Sequence, residues 1–314
     1  MQPNYENLLQ TSRRVNWRVD EIIGGDKRLD FSRPFLPESF AWTTALPFLS
    51  LGEQLTLNHI RAHGYLAMFQ LVEAFILPFI AGQSTLEPDD GPFRETALQQ
   101  FASEEAKHIE LFSVFRREFV AEFGVDCGFI GPADEISRAV LAHSPLSVGI
   151  LVLGIEWMSQ GHYMESIRDS QELDGQFKSL LRHHWIEEAQ HAKLDTLVLQ
   201  TMAKQCGADD IDRAIDEYFE MGAFLDGGLK QQAIFDLESF ERATGRALSA
   251  VQREQFVAVQ HQALRWTFLG SAMRNRNFLA ALAQLSEAAR QRVESAAAAF
   301  CQPVQGALSV SSMD

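Results

Sequence analysis

From about residue 41 onward the apolar positions recur at the three-and-four spacing of helices buried on one side, and nothing alternates with period two over a useful length, so the chain reads as all-α. The breaks fall where capping chemistry would put them. A first long helix is predicted from about Leu49 to Ile80, closed by the turn-rich stretch 81–91. A second starts near Pro92, suited to a first turn, and stops at Gly124, suited to a C-terminal cap. Asp134 can cap a short helix reaching His143. Ser144-Pro145 then reads as N-cap and first turn of a third long helix to about Asp169, and a fourth runs from about Gly175 to Cys206 before Gly207. Three further helical segments are expected at roughly 211–244, 249–272 and 277–299. Residues 1–40, of mixed polarity and broken by Gly24, Gly25, Pro34 and Pro37, are expected to form an arm over the core, and 302–314 a frayed tail. The expected organisation is a single helical domain over 41–301, with a core bundle at about 49–206 and additional helices at 211–299.

Two apolar runs, 65–82 and 145–158, raise the question of a membrane span, but each contains one acid, Glu73 and Glu156, and neither is a charge-free run of about 20 residues. An ionised carboxylate in such surroundings is costly unless it is paired or bound to a metal. Either acid alone could be a protonated or salt-bridged core residue. Together they belong to an internal repeat. Glu105-Ala106-Lys107-His108 and Glu188-Ala189-Gln190-His191 are both Glu-x-x-His, both preceded by another Glu, and lie 83 residues apart; Glu73 and Glu156 are also 83 apart, each 32 residues before its motif.

At about 100° per residue, a Glu and a His three apart share one helix face, so both can reach one point beside the helix. The intervening stretch lets a helix end, turn and return antiparallel, which brings the isolated acid level with the pair. Two such hairpins facing each other offer four carboxylates and two imidazoles, the arrangement of di-iron and di-manganese bundles. Hard carboxylates with imidazole suit iron or manganese better than structural zinc.

Neighbouring residues compete for roles. Glu104 and Glu187 stand four before each His, also a shared-face spacing, but the apolar flanks of Glu105 favour it as ligand, and Glu188 follows by the repeat. Glu104 and Glu187 are expected on the solvent side or just behind the ligands. His184 precedes Glu188 by four and His191 by seven, so a third imidazole can reach the metals, where the repeat counterpart Phe101 cannot. The competing role for His184 is a hydrogen-bonded core or surface histidine; His183 points some 100° away. Asp195 could hold the second nitrogen of His191, as metal-bound histidines usually require an acceptor, or lie on the surface. Tyr163 is expected to line the pocket or to pack.

Composition narrows the function classes. With 27 Lys and Arg against 42 Asp and Glu, the 314-residue chain carries a net −15, which disfavours nucleic acid as a partner. Its 46% hydrophobic content and 23 Phe provide for a large core. Three widely spaced cysteines, Cys127, Cys206 and Cys301, and no apolar leader within residues 1–17 point to a reducing cytoplasm. No phosphate loop, nucleophile elbow or cysteine pair is present.

These residues resemble the ferritin-like di-iron oxygenases, and among them the p-aminobenzoate N-oxygenase family. That family is similar in having a single Glu, a Glu-x-x-His, a second single Glu and then His-x-x-x-Glu-x-x-His, matched here by Glu73, Glu105 with His108, Glu156, and His184 with Glu188 and His191. The likeness covers roughly residues 49–245. Acyl-carrier-protein desaturases look similar but are not expected to carry the extra His. Ribonucleotide reductase small subunits usually have a radical Tyr four residues after the first motif's His, where this chain has Phe112. The resemblance implies two Fe ions, or Mn with Fe, O2 as co-substrate, an external electron donor and a small organic substrate such as an aryl amine. Neither membrane nor nucleic acid is expected as a partner, and a homodimer is allowed. The alternatives are a di-iron hydroxylase or desaturase of an acyl chain, and a non-catalytic ferritin-like iron-binding protein.

Overall fold

The computed structural model describes residues 4–84 and 92–301, and among them every regular element is a helix; the only pairing of strand type is an isolated bridge between Gly24 and Lys27. The turn expected at 81–91 falls largely outside the described residues, as does the expected tail at 302–314. Three short helices, α1 (Tyr5–Ser12), α2 (Val19–Ile22) and α3 (Glu38–Ala41), precede the bundle. The bundle helices are α4 (Leu51–Ser84), α5 (Arg94–Phe123), α7 (Pro145–His162) and α8 (Gly175–Ala203), with the short α6 (Ala133–Leu141) in the middle connection. Then come α9 (Ala208–Thr244), α10 (Ala250–Arg265), α11 (Ser271–Met273), α12 (Arg276–Leu285) and α13 (Glu287–Cys301).

Local chemistry sets most of these boundaries. Gly124 ends α5 in the left-handed conformation at φ 78°, its N–H bonding back to Val120. Ser144 caps α7 with Pro145 at the first position, and Asp174 caps α8 by accepting from Phe177 N at 2.6 Å. Some expectations are corrected. Pro132, not Asp134, precedes α6, and Asp134 sits inside the first turn, where its negative charge complements the helix N-terminus. The single segment expected at 277–299 is two helices. Ser286 is extended at φ −161°, and its hydroxyl accepts from Ala289 N, so it closes α12 and caps α13. π-helical turns at Tyr163–Ile167 and Trp266–Gly270 continue α7 and α10.

The bundle consists of two antiparallel hairpins. Along α4 and α5, His63 meets Arg116, Gln70 meets Ser113 and Glu73 meets His108; along α7 and α8, Gly149 meets Leu199 and Gln160 meets Trp185. A Cβ on Gly149 would lie 3.2 Å from Leu199 Cδ1 and 3.3 Å from Phe79 Cζ, so a glycine lets α7 approach both neighbours closely. α9 packs across α4 and α7, and α10 lies on α9. A buried ion pair, Arg61 Nη1 to Asp236 Oδ2 at 3.2 Å, ties α4 to α9, and Gln232 supports it by donating to Asp236 Oδ1 at 2.8 Å. α4 is long and apolar enough to cross a membrane by composition, with mean hydropathy 1.7, but 72% of that window is buried within the protein, as in a core helix.

Residues 4–41 are more than surface cover. Tyr5, Leu8, Leu9, Trp17, Ile22 and Ile23 enter the main core, and Phe35 and Leu36 are fully enclosed, with both of their backbone N–H groups donating to Asn58 Oδ1. α1 and α2 both pack against α5 and α8, the two helices that carry the Glu-x-x-His motifs.

Candidate metal centre

The antiparallel pairing brings the repeated residues to one level of the bundle interior. α4 delivers Glu73, α7 delivers Glu156, α5 delivers Glu105 and His108, and α8 delivers His184, Glu188 and His191; all seven side chains are buried. Donor atoms of six of them form two overlapping groups, each with one atom per residue and all within 4.8 Å of one another: Glu73, His108, His184 and Glu188, and Glu105, His108, Glu188 and His191. Glu188 Oε1 is central, lying 3.1 Å from His108 Nδ1, 3.2 Å from His184 Nε2 and 3.4 Å from His191 Nδ1. Glu73 Oε1 is 3.4 Å from His184 Nε2, and Glu105 Oε1 is 2.8 Å from His191 Nδ1. Glu156, in neither group, faces Glu188, Glu105 and His191 from α7.

The pattern of satisfied and unsatisfied atoms tests whether this set suits cations. Both oxygens of Glu73 and of Glu105, Oε2 of Glu156, Oε1 of Glu188, and Nδ1 of His108 and of His191 are buried without a hydrogen-bond partner. Buried polar atoms are normally paired, and leaving one unpaired costs roughly 1–3 kcal/mol. Eight such atoms converging on one small volume is the signature of a coordination site. The set fits two metal ions, and the oxygen-rich, imidazole-containing donors suit iron or manganese.

Behind the ligands, the outer nitrogens are held. His108 Nε2 lies 2.9 Å from Glu187 Oε2, and His191 Nε2 lies 2.9 Å from Glu104 Oε2. The pairing is crossed: each motif's preceding acid holds the histidine of the other motif. This fixes Nε2 as the protonated nitrogen and turns Nδ1 inward. Of the two places expected for Glu104 and Glu187, the structure has the one just behind the cluster: they are 3% and 0% exposed. One sequence expectation changes. Asp195 does not hold the second nitrogen of His191, because Glu104 does; Asp195 is itself buried, with neither oxygen hydrogen-bonded, and burial raises its carboxyl well above the usual range.

Electrostatics divide the carboxylates. Burial pushes Glu73 up to about 8 against the pull of His184, and burial with the neighbouring Glu188 charge raises Glu156 well above the ordinary value. Burial opposes ionisation of Glu188 too, but His184 and His191 outweigh it and hold Glu188 well below the ordinary range. Burial likewise disfavours charge on His108 and His191, yet the surrounding carboxylates raise both well above their usual value; His184 is raised as well.

His184 is part of the cluster, boxed by Phe112 at 5.1 Å, Phe69 at 5.2 Å and His108 at 4.6 Å between ring centroids. Phe101, its repeat counterpart, stacks on His191 at 4.0 Å. Tyr163 packs, its ring stacked on Trp185 at 4.7 Å. Sequence reasoning did not single out Ser12, Trp17 and Lys107, which reach the outer carboxylates and His108; no motif marks them. It also passed over a buried chain behind Phe69, in which Tyr65 Oη lies 2.9 Å from His162 Nδ1 and His162 Nε2 lies 2.9 Å from Ser271 Oγ. The doubled Glu before each His was the available signal for Glu104 and Glu187.

No family model matches the chain, and no curated protein is significantly similar to it. Among solved structures it is similar to an R2-like ligand-binding oxidase point mutant with anaerobically reconstituted Mn/Fe cofactor, at 15% identity over 87% of this chain and 93% of that one, with a TM-score of 0.45. It is also similar to the R2-like ligand-binding oxidase with aerobically reconstituted Mn/Fe cofactor, at 15% identity over 84% and 92% with a TM-score of 0.41. A further point mutant of that oxidase, with an Fe/Fe cofactor, gives 14% identity over 84% and 92% and the same TM-score of 0.41. At this distance the assignment of the centre rests on the side chains of this chain.

Proposed function

We propose that the protein is an O2-dependent non-haem dimetal oxidoreductase that oxidises a small organic substrate, of the N-oxygenase or monooxygenase type. Glu73, Glu105, His108, Glu156, His184, Glu188 and His191 hold two Fe ions, or Mn with Fe. The observation that carries this reading is the convergence of eight unpartnered buried donor atoms, with each motif histidine backed by the other repeat's acid.

Two such ions, reduced by an external donor, would supply the electrons that activate O2. The chain's own residues do the rest. Glu188, which belongs to both donor groups, would lie between the two positions; Glu73, Glu105 and Glu156 would close them from the other three helices. Glu104 and Glu187 keep the Nε2 protons of His191 and His108 in place, so neither ring can turn away. Phe69, Phe101 and Phe112 exclude water from around the imidazoles. The cavity between α1 and His191 holds only about 10 Å³, room for one water. A reducing cytoplasm and a single helical domain over 41–301 belong to the same reading.

The test is to load the anaerobic protein with two equivalents of iron(II) and expose it to O2. New visible absorption is expected, and its absence overturns the proposal. His184→Ala separates the N-oxygenase reading from an acyl-chain hydroxylase or desaturase: the first predicts lower iron occupancy or a shorter-lived oxygenated chromophore, and unchanged values favour the second.

A further inference from the structure

The outer carboxylates are themselves held from outside the bundle. Ser12, the last residue of α1, donates its hydroxyl to Glu104 Oε1, and Gln100 Nε2 donates to the same oxygen at 2.9 Å. The other oxygen of Glu104 is the one against His191 Nε2, so both are engaged and the carboxylate cannot rotate. On the opposite half, the Trp17 ring lies parallel to the His108 ring, with centroids 6.0 Å apart and planes 11° apart. The Lys107 ammonium sits 3.9 Å from the Trp17 ring centroid and pairs with Glu187 Oε1, while Glu187 Oε2 faces His108 Nε2. Two parallel lines of contact result, one running Ser12, Glu104, His191 and the other Trp17, Lys107, Glu187, His108. Each begins in the short stretch that covers the two motif helices.

We infer that the segment comprising α1, α2 and their linker is a working part of the metal centre, with Ser12 and Trp17 as positioning residues that lock the two Nε2 acceptors and through them the two histidine ligands. This rests on the dimetal reading and goes beyond it. A carboxylate behind a metal-bound imidazole fixes ring orientation and raises ligand basicity only if it is itself held, and losing such support typically costs about 10–100-fold in metal affinity. Glu104 has no cationic partner other than His191 among its contacts, so Ser12 and Gln100 are what hold its free oxygen. Trp17 acts through shape and charge: it covers one face of His108 and offers its own face to Lys107, which keeps that ammonium over Glu187.

The experiment uses the full chain, stripped with chelator and titrated with cobalt(II), whose visible bands report coordination geometry. Wild type is expected to bind two equivalents. Ser12→Ala should weaken one of them by roughly 10-fold, and Ser12→Ala combined with Lys107→Gln should weaken both, with displaced bands. Ser12→Thr keeps the hydroxyl and should restore wild-type binding. Trp17→Leu should reproduce the Lys107→Gln effect. Unchanged affinities and bands in Ser12→Ala and Lys107→Gln would overturn the inference, and would do so even if the melting temperature of the stripped variants fell, since that marks a merely structural cover. A wild-type chain that binds no cobalt(II) would instead overturn the dimetal reading itself.

Discussion

Replacing Glu73 by Gln should stabilise the metal-free protein, and by an amount that grows with pH. Burial raises this carboxyl from the ordinary 4.5 to about 8, while neither of its oxygens is hydrogen-bonded. In the unfolded chain the group is ionised at neutral pH, so folding requires proton uptake, at a cost of about 1.4 kcal/mol for each pH unit above the unfolded value. The sign follows from the raised folded value. Below 4.5 both states are protonated and the cost vanishes; it rises through the window from 4.5 to 8 and is constant above it. The cost is therefore about 1 kcal/mol near pH 5, about 3 kcal/mol near pH 7 and about 5 kcal/mol near pH 8.5. Gln is neutral throughout and escapes it, apart from a pH-independent offset for its own amide. Urea unfolding in chelator at those three pH values measures the difference between variant and wild type. A difference that stays flat or shrinks as pH rises refutes the reasoning. With two equivalents of iron(II) the order should reverse, because the variant forfeits a ligand and with it part of the stabilisation that bound metal provides.

Arg61→Met leaves Asp236 buried with only Gln232 beside it and should cost about 3–5 kcal/mol in urea unfolding, while Arg61→Met with Asp236→Leu recovers most of the loss; a single variant as stable as the double would count against the pairing. Gly270→Ala places a Cβ 2.9 Å from Trp266 Cε3 and 3.0 Å from Phe300 Cβ, and should lower stability by about 1–3 kcal/mol, read as a lower melting temperature; an unchanged one would show that the π-turn gives way freely. Carboxylates raise His108, His184 and His191, so metal must displace protons: a dye should report proton release on cobalt(II) addition at pH 7, and affinity should fall as pH drops, with no release counting against ligation by these rings.

The repeat carried most of the centre because helical spacing is geometry that a sequence states directly. Glu and His three apart must share a face, and the equal offset of Glu73 and Glu156 from their motifs required the same hairpin twice. The helix boundaries at Gly124, Ser144 and Gly175 were readable for the same reason, since capping is local. What escaped depends on contacts between elements. Whether Glu104 faces water or His191 is decided by where α8 lies relative to α5, and whether Asp195 or Glu104 accepts from His191 Nε2 by the rotation of α5. The break at Ser286 was missed because alanine-rich periodicity runs on both sides of it and hides the cap. Residues 4–23 looked like an arm because their apolar positions, Leu8, Leu9, Trp17, Val19 and Ile22, sit in pieces too short to show a period; their burial is set by the groove between α5 and α8.

The repeat is symmetric in its carboxylates and asymmetric in its rings, and the asymmetry sets the character of the centre. At equivalent positions seven residues before the motif histidines stand His184 and Phe101. His184 adds a second imidazole beside His108 and Glu73, so that half of the cluster offers two nitrogens. Phe101 instead lies flat on His191, giving the other half a phenyl wall in place of a further imidazole. The two donor groups each offer two carboxylates and two imidazoles, with His108 and Glu188 common to both, and differ in what is their own: Glu73 with His184 in one, Glu105 with the Phe101-stacked His191 in the other. Unequal halves are what a centre needs if its two ions are to differ in identity or in the exchangeable ligand each keeps open. That difference is built by one ring on α8 and its absence on α5, within a scaffold whose two hairpins are otherwise copies.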